Sequence, residues 1–248
     1  PHDWLSGQAE DLYESADAWY ARKLNIRNTG DGLERILSFD GVYMDCDVLV
    51  NGEVVCTHPY GYTAFYVPLN GRLHSGENEL MVHIRHQSPN SRWYSGSGIY
   101  RDVTLLTLPR NHLVPDGILL YTEEGGDGTW TVRLSAETAG GDGIPFCCEA
   151  ADPNGRITAK AEGRGDSGRN RCTLRIPEGK TWSPERPHLY QMKIVYGEEK
   201  RVLSFGLRSV LLDPERGLIL NGRKVRLHGV CLHHDLGALG TAFHEKTS

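Results

Sequence analysis

Hydrophobic and polar residues alternate along short segments of this chain, and glycine and proline separate the segments. The segments "TWTVRLSA", 129–136, and "ELMVHIR", 79–85, both place apolar side chains at every second position. Such a period of two indicates a β-strand that buries one face and exposes the other. The chain therefore predicts many short, half-buried strands.

Turn signals stand between these segments. Asn51-Gly52 and Asn221-Gly222 each lie between two apolar runs, and Pro153-Asn154-Gly155 follows "EAAD". Asn-Gly is the strongest short hairpin signal, because both residues tolerate positive φ angles. A helical period is weak everywhere, with at most a short turn near "EDLYESADAWY", residues 10–20. We therefore expect a nearly all-β chain with strands every ~8–12 residues, as in β-sandwiches.

Composition narrows the class of protein. The 248 residues are 39% hydrophobic and 24% charged, which is typical of a soluble globular protein. A net charge of −5 disfavours a nucleic-acid partner, and no apolar run approaches the ~20 residues of a membrane helix. No signal peptide is present, although the start at "PHDW" without Met would fit a leader that has been removed.

The six cysteines form no CxxC pair and follow no regular spacing, which predicts buried free thiols rather than a disulfide framework. Free thiols fit a reducing compartment. This favours the cytoplasm slightly and leaves a periplasmic or secreted protein open.

The stretch "VRLHGVCLHHDLGALG", 225–240, concentrates chemically active side chains. It holds Cys231, His233, His234 and Asp235 within five positions. Adjacent histidines on a strand point to opposite faces, which disfavours a metal site, and Cys231 with His233 lacks an orienting group for nucleophilic catalysis. The rim of a larger active site remains the favoured interpretation.

A second informative stretch, "SRWYSGSGIYRDV", spans residues 91–103. It combines Arg92 and Trp93 with further tyrosine and arginine around flexible glycines. Aromatic faces with nearby polar donors suit sugar rings, but the same aromatics could equally pack on their own core.

Eight motifs in order give the chain a family resemblance. They include "FDGVYMDCDVLVNGEVVCTHPYGYTAF", "GENEL", "SRWYSGSGIYRDV", "WSPERPHLY" and "LNGRKVRLHGVCLHHDLGALG". This series resembles glycoside hydrolase family 2, which contains β-galactosidases, β-glucuronidases and β-mannosidases. Within the family, "SRWYSGSGIYR" followed by "HHDLGALG" is most similar to bacterial enzymes named β-galactosidase.

The resemblance implies three parts in a fixed order. A jelly-roll, galactose-binding-like domain would cover residues 1–109, and an immunoglobulin-like sandwich would cover 110–212. Residues 213–248 would form the hairpin and the first strand of a truncated (β/α)8 barrel. Barrel active sites lie at the carboxyl ends of the strands. The resemblance therefore implies that His233 contacts the sugar, with His234 and Asp235 at the same rim and Arg92 and Trp93 on a jelly-roll loop.

The resemblance also sets expectations about catalysis. Both catalytic glutamates of the family lie on later barrel strands, beyond Ser248, so we expect this chain to be inactive alone and to hold no cofactor. Mg²⁺ is a cofactor of some full-length family galactosidases, and the full-length enzyme could be a homo-oligomer. The expected partner is a carbohydrate, with no nucleic acid and no membrane.

Three alternatives stay open. The chain could be a stand-alone carbohydrate-binding module or a structural β-sandwich array. It could also belong to an enzyme for β-glucuronides, because Arg92 stands near the position where several members carry an acidic residue. A guanidinium binds a carboxylate in bidentate fashion, so Arg92 would suit an acidic sugar.

Overall fold

The computed structural model describes residues 16–86 and 97–231, and these residues form strands without any helix. The all-β prediction is therefore confirmed. The described part of the chain contains no helix that is long and apolar enough to cross a membrane. The described residues divide into a first unit, which contains the residues up to Thr107 together with Cys231, and a second unit, Leu108–Val230. The predicted boundaries at 109 and 212 stay predictions.

The described residues of the first unit form nine strands in three sheets, and the last of these strands continues across the unit boundary to Pro109. The larger sheet has the order β1-β7-β4-β5, and the smaller sheets have the orders β6-β2-β9 and β3-β8. The strands are β1 Ala16–Ile26, β2 Leu33–Phe39, β3 Val42–Tyr43, β4 Cys46–Val50, β5 Glu53–His58, β6 Phe65–Pro68, β7 Gly76–His86, β8 Gly98–Ile99 and β9 Val103–Pro109.

The core of the first unit forms where the apolar positions of these strands meet. Phe39 on β2 and Phe65 on β6 stack with ring centroids 4.8 Å apart, and Val48, Val82 and Ile84 from the larger sheet are also buried. Along β7, Leu80, Val82 and Ile84 face this core, as the alternation in "ELMVHIR" predicts. The opposite face of β7 therefore carries Met81, His83 and Arg85 outward.

The second unit contains ten strands in three sheets, with the orders β10-β11-β14, β13-β12-β15-β16 and β17-β18-β19. The strands are β10 His112–Glu124, β11 Trp130–Ala139, β12 Ile144–Ala151, β13 Ile157–Gly165, β14 Gly168–Ile176, β15 Tyr190–Tyr196, β16 Glu199–Phe205, β17 Val210–Asp213, β18 Gly217–Leu220 and β19 Arg223–Lys224.

The core of the second unit follows the predicted alternation of "TWTVRLSA". Every second residue of β11 is buried, beginning with Trp130, and these side chains pack with residues of β12, β14 and β15. Two sheets thus share one apolar interior, which is the arrangement that half-buried strands require.

Both predicted Asn-Gly hairpins are confirmed. Asn51-Gly52 joins β4 to β5 and Asn221-Gly222 joins β18 to β19, with positive φ at all four residues. Residues 152–156 form the third predicted turn, and its positive φ falls on Gly155.

Two local expectations differ from the structure. Residues 16–20 of the segment that suggested a helical turn belong to β1, because they pair with β7 from Ala16↔His86 onward. The strand predicted for "VRLHGVCLHH" is not formed over Val225–Cys231, which lie largely exposed. Leu227 and Val230 expose their apolar side chains there, because no strand of the described ranges pairs beside them.

Candidate carbohydrate site

The sequence-predicted site residues lie outside the described ranges. Arg92 and Trp93 belong to residues 87–96, and His233, His234 and Asp235 follow Cys231. The roles of these five residues stay predictions. The structure does describe the strands on both sides of residues 87–96, namely β7 and β8.

Strand β8 is held by its neighbours in the first unit. Val42 pairs with Ile99 and Tyr43 with Gly98, and the Tyr100 amide donates a 3.2 Å hydrogen bond to the Gly41 carbonyl. Gly98 has a φ of 122°, which an L side chain rarely adopts. The motif "SGSGIYR" therefore needs glycine at this position to enter β8.

Two glycines let tyrosine rings approach the backbone. A Cβ on Gly41 would lie 2.5 Å from the Tyr100 ring, and a Cβ on Gly61 would lie 2.3 Å from the Tyr43 ring. The Tyr100 hydroxyl donates a 2.8 Å hydrogen bond to the Gly61 carbonyl. Segments 41–43, 61 and 98–100 are thus locked together by ring packing and backbone bonds.

Two exposed tyrosines extend this cluster to the surface. Tyr62 meets Tyr43 edge to face at 5.1 Å and Tyr60 at 5.7 Å, and Tyr60 and Tyr62 are 55% and 61% exposed. We call Tyr43, Tyr60, Tyr62 and Tyr100 the tyrosine cluster. The pKa of Tyr62 is raised to about 12 by partial desolvation of its phenol group and by the neighbouring Tyr43. The Tyr62 hydroxyl therefore stays a hydrogen-bond donor at neutral pH.

A cation and a buried hydroxyl border the tyrosine cluster. The Arg101 guanidinium lies 5.7 Å from the centroid of the Tyr100 ring, within the range of a cation–π contact. Ser97 is buried, and its Oγ has no hydrogen-bond partner among the residues that the structure describes. Exposed aromatic faces beside phenol and guanidinium donors can stack on a sugar ring and bind its hydroxyls.

The tyrosine cluster was only partly anticipated. Tyr100 belongs to the motif "SRWYSGSGIYRDV", whose aromatic residues suggest a sugar site, whereas Tyr60 and Tyr62 appear only inside the motif "CTHPYGYTAF". The repeated aromatic–glycine pattern of "PYGY" was the available signal, since a glycine between aromatics permits close ring approach. The contact of Gly61 with Tyr43 depends on the pairing of distant segments and has no local sequence signal.

The cysteines match the prediction of free thiols, since all six are unpaired. Only Cys46 and Cys148 are fully buried, whereas Cys231 is exposed, so the expectation of uniform burial was wrong. Burial raises the pKa of Cys46 to about 12, which keeps this thiol protonated and unreactive. Within 16–86 and 97–231, no group of three or more His, Cys, Asp or Glu side chains could hold a metal ion.

Comparison with known families identifies a family domain in the first unit. Residues 8–109 match the sugar binding domain of the glycosyl hydrolases family 2. The chain therefore carries a family 2 sugar binding domain, and the family predicted from the motifs is confirmed.

Two relatives illustrate the range of activities in the family. A β-galactosidase of Bacteroides ovatus is 31% identical over 98% of this chain and 32% of its own length. A β-glucuronidase of Bacteroides fragilis is 28% identical over 98% of this chain and 39% of its own length. The chain thus spans about a third of the length of these glycoside hydrolases.

A solved structure shows the same fold. A family 2 glycosyl hydrolase from Bacteroides cellulosilyticus matches 100% of this chain and 37% of its own, with a TM-score of 0.85 and 28% identity. Both units of the chain are therefore covered by a single family 2 structure.

Proposed function

We propose that this chain is an amino-terminal, non-catalytic part of a retaining β-glycosidase that removes terminal β-linked sugars, with β-galactosides favoured. The observation that supports the proposal best is the match of 98% of the chain to a family 2 β-galactosidase of which it spans 32%. The enzyme's remaining length would supply the chemistry, and this chain would shape and support the pocket.

The proposed architecture follows from that role. The first unit would be the jelly-roll domain and the second unit the immunoglobulin-like sandwich, consistent with their paired antiparallel sheets. Residues 213–248 would lead into a (β/α)8 barrel. We propose that the hairpin β18–β19 opens this part, since its Asn221-Gly222 turn lies in the family motif "LNGRKVRLHGV".

Retaining hydrolysis needs two carboxylates ~5–5.5 Å apart, one as the acid/base and one as the nucleophile. In this proposal both are barrel glutamates beyond Ser248. Glu215 does not replace them, because it is an exposed residue in the turn that joins β17 to β18. The chain up to Ser248 would therefore bind and orient the sugar without cleaving the glycosidic bond.

The residues around the predicted loop have a supporting role in this account. The tyrosine cluster fixes β8, the strand after the segment that holds Arg92 and Trp93. We propose that these two residues contact the sugar. We propose that His233, His234 and Asp235 accept hydrogen bonds from sugar hydroxyls or donate hydrogen bonds to them.

Magnesium does not fit the described residues, which offer no cluster of three potential ligands. A metal used by the whole enzyme would therefore be held elsewhere, and no step of the proposed role depends on it.

β-Glucuronides are the second candidate substrates. The name of the Bacteroides fragilis relative gives this activity, and Arg92 would supply a guanidinium for the uronate carboxylate. Both candidates share the retaining mechanism and differ in the charge that the pocket must bind.

Substitution of Arg92 in the native gene product tests which sugar is recognised. The probes are p-nitrophenyl β-D-galactoside and p-nitrophenyl β-D-glucuronide, with Arg92→Gln as the variant and the exposed Arg27→Gln as the charge-matched control. If the enzyme is a galactosidase, it hydrolyses the galactoside faster than the glucuronide. Both variants then keep kcat/KM for the galactoside within about threefold of the wild-type value. Loss of glucuronide kcat/KM by about 100-fold in Arg92→Gln alone would instead establish the glucuronidase, since a paired charge contributes about 3 kcal/mol.

A further inference from the structure

The outer face of the larger sheet of the first unit carries one continuous row of side chains. Trp19 on β1 pairs with His83 on β7, His83 pairs with Asp47 on β4, and Asp47 pairs with Thr57 on β5. We call these four residues the outer row. Three strand spacings of ~4.8 Å give the row a length of about 14 Å.

An aromatic platform stands at one end of the outer row. The Trp19 indole stacks on the His83 imidazole with centroids 4.1 Å apart and an interplanar angle of 9°. Trp19 nevertheless remains 57% exposed, so the indole face that turns away from His83 is open to solvent. Stacking fixes the ring at a sheet surface, which lowers the entropy cost of placing a ligand on it.

Polar groups at the other end of the row are held in place. The Thr57 hydroxyl donates a 2.6 Å hydrogen bond to Asp47 Oδ1, and the Arg85 guanidinium forms an ion pair with Asp47 Oδ2. Arg85 also lies 3.7 Å from Asp45 Oδ1. Asp47 is therefore oriented from both sides and keeps further lone pairs as acceptors.

One nitrogen in the row lies beside a carboxylate without forming a well-aligned hydrogen bond to it. His83 Nε2 is buried and makes no hydrogen bond within the described ranges, although Asp17 Oδ2 lies 3.1 Å away. The Asp17 carboxylate is itself largely exposed. A hydroxyl group placed at this edge could donate to Asp17 while its ring lies over Trp19.

The charge of this face selects the kind of ligand. Asp17, Asp45 and Asp47 provide three carboxylates on this face, and Arg85 provides one guanidinium beside them. An anionic ligand would be repelled, whereas a neutral ligand rich in hydroxyl donors would find acceptors.

We propose that the outer row binds a neutral saccharide, with one pyranose ring on the open face of Trp19 and its hydroxyls donating to Asp17 and Asp47. The inference goes beyond the proposed hydrolysis and does not depend on it. It assigns a carbohydrate ligand to a sheet face that lies within the matched sugar binding domain.

Affinity electrophoresis of the 248-residue chain tests this site. Native gels would contain either neutral β-1,4-galactan or anionic polygalacturonate. We expect galactan to retard the chain and polygalacturonate to have no effect. Trp19→Ala should weaken the galactan affinity about tenfold or more, since the stacked ring supplies much of the contact. Tyr121→Ala removes an equally exposed ring, 59%, from the second unit and should change nothing.

Two milder variants keep the test valid if Trp19→Ala disturbs folding. Trp19→Phe should retain an intermediate affinity, and Thr57→Val should weaken binding by releasing Asp47 from its 2.6 Å bond. The proposal fails if galactan does not retard the wild-type chain, or if folded Trp19 variants bind as wild type does. Hydrolysis of p-nitrophenyl β-D-galactoside by the native gene product is measured separately, so loss of one claim leaves the other intact.

Discussion

At the residue scale, Gly61 and Tyr43 show how the first unit fixes the strand beside the predicted loop. The Tyr43 ring occupies the space that any side chain at position 61 would need. Tyr43 in turn contacts Tyr62 and pairs with Gly98, so a displacement at Gly61 would reach both the exposed tyrosines and β8.

We predict that Gly61→Ala destabilises the chain by about 1–3 kcal/mol, because a Cβ 2.3 Å from the Tyr43 ring forces that ring to move. Urea unfolding followed by circular dichroism measures the difference. Gly30→Ala is the matched control in the same unit, since its nearest new contact is 3.4 Å from Asn28 Oδ1. Equal stability of the two variants would show that the ring has room to move.

Asp47 is the residue for which pH dependence is clearest. The Thr57 hydroxyl and then the Arg85 guanidinium lower the pKa of its carboxyl in the folded chain. A carboxyl with a lowered folded pKa stabilises the fold above its unfolded pKa of about 3.9, and this contribution is lost as the pH falls through the folded value.

We therefore predict that the stability difference between wild type and Asp47→Asn is constant from pH 7 to about pH 5. It should shrink as the pH falls below about 4, because the wild-type carboxyl then becomes protonated. Urea midpoints measured from pH 7 to pH 2.5 give this difference directly. A difference that grows on acidification would mean that the ion pair is not formed in solution.

At the element scale, Asn78 connects the hairpin β4–β5 to the start of β7. Its Oδ1 accepts hydrogen bonds from Asn51 Nδ2 at 2.9 Å and from the His74 amide at 3.0 Å. Its Nδ2 donates to the carbonyls of His74 and Gly76 at 2.8 and 3.2 Å. Asn78 is almost fully buried, so each of these partners would lose a bond that water cannot easily replace.

Asn78→Ala should cost about 2–4 kcal/mol of unfolding free energy, because it removes four hydrogen bonds made by one buried side chain. Asn25→Ala changes an exposed position on the adjacent strand β1 and should cost less than about 0.5 kcal/mol. Thermal and urea unfolding compare the two. A small effect at Asn78 would imply that water enters and replaces its hydrogen bonds.

The elements that were predictable from the sequence are those with local causes. The two Asn-Gly turns and the alternation along β7 and β11 are set by neighbouring residues, and the structure confirms them. The outer row was not predictable, although His83 was assigned to the outward face. Its neighbours Trp19, Asp47 and Thr57 come from three other strands, and only the long-range register brings them into line.

The same reasoning explains why Val225–Cys231 form no strand here. An apolar run can indicate a strand, but a strand forms only beside a partner that accepts its backbone hydrogen bonds. Leu227 and Val230 are exposed here, so the described residues do not bury the apolar side chains of this segment. We interpret it as a sequence that needs further neighbours to become ordered as a strand.

At the scale of the whole molecule, two β units of comparable size account for the described chain, and family 2 relatives extend well beyond the region they share with it. The family could be inferred from eight ordered motifs, because together they are far more specific than any one of them. The sugar that the enzyme hydrolyses could not be inferred from the motifs, because the relatives include enzymes named for both galactosides and glucuronides. In the proposed function that choice depends on the charge facing the substrate, and substitution of Arg92 is the test of it.

The central claim is that the chain belongs to a β-glycosidase but does not hydrolyse glycosides alone. The most direct test compares p-nitrophenyl β-D-galactoside hydrolysis by the native gene product, captured from source cells, with hydrolysis by the 248-residue chain at equal molarity. We predict turnover by the native gene product and none by the chain, since the paired carboxylates of a retaining site are expected beyond Ser248. Turnover by the chain itself, or no cleavage of any β-glycoside by the native gene product, would contradict this account.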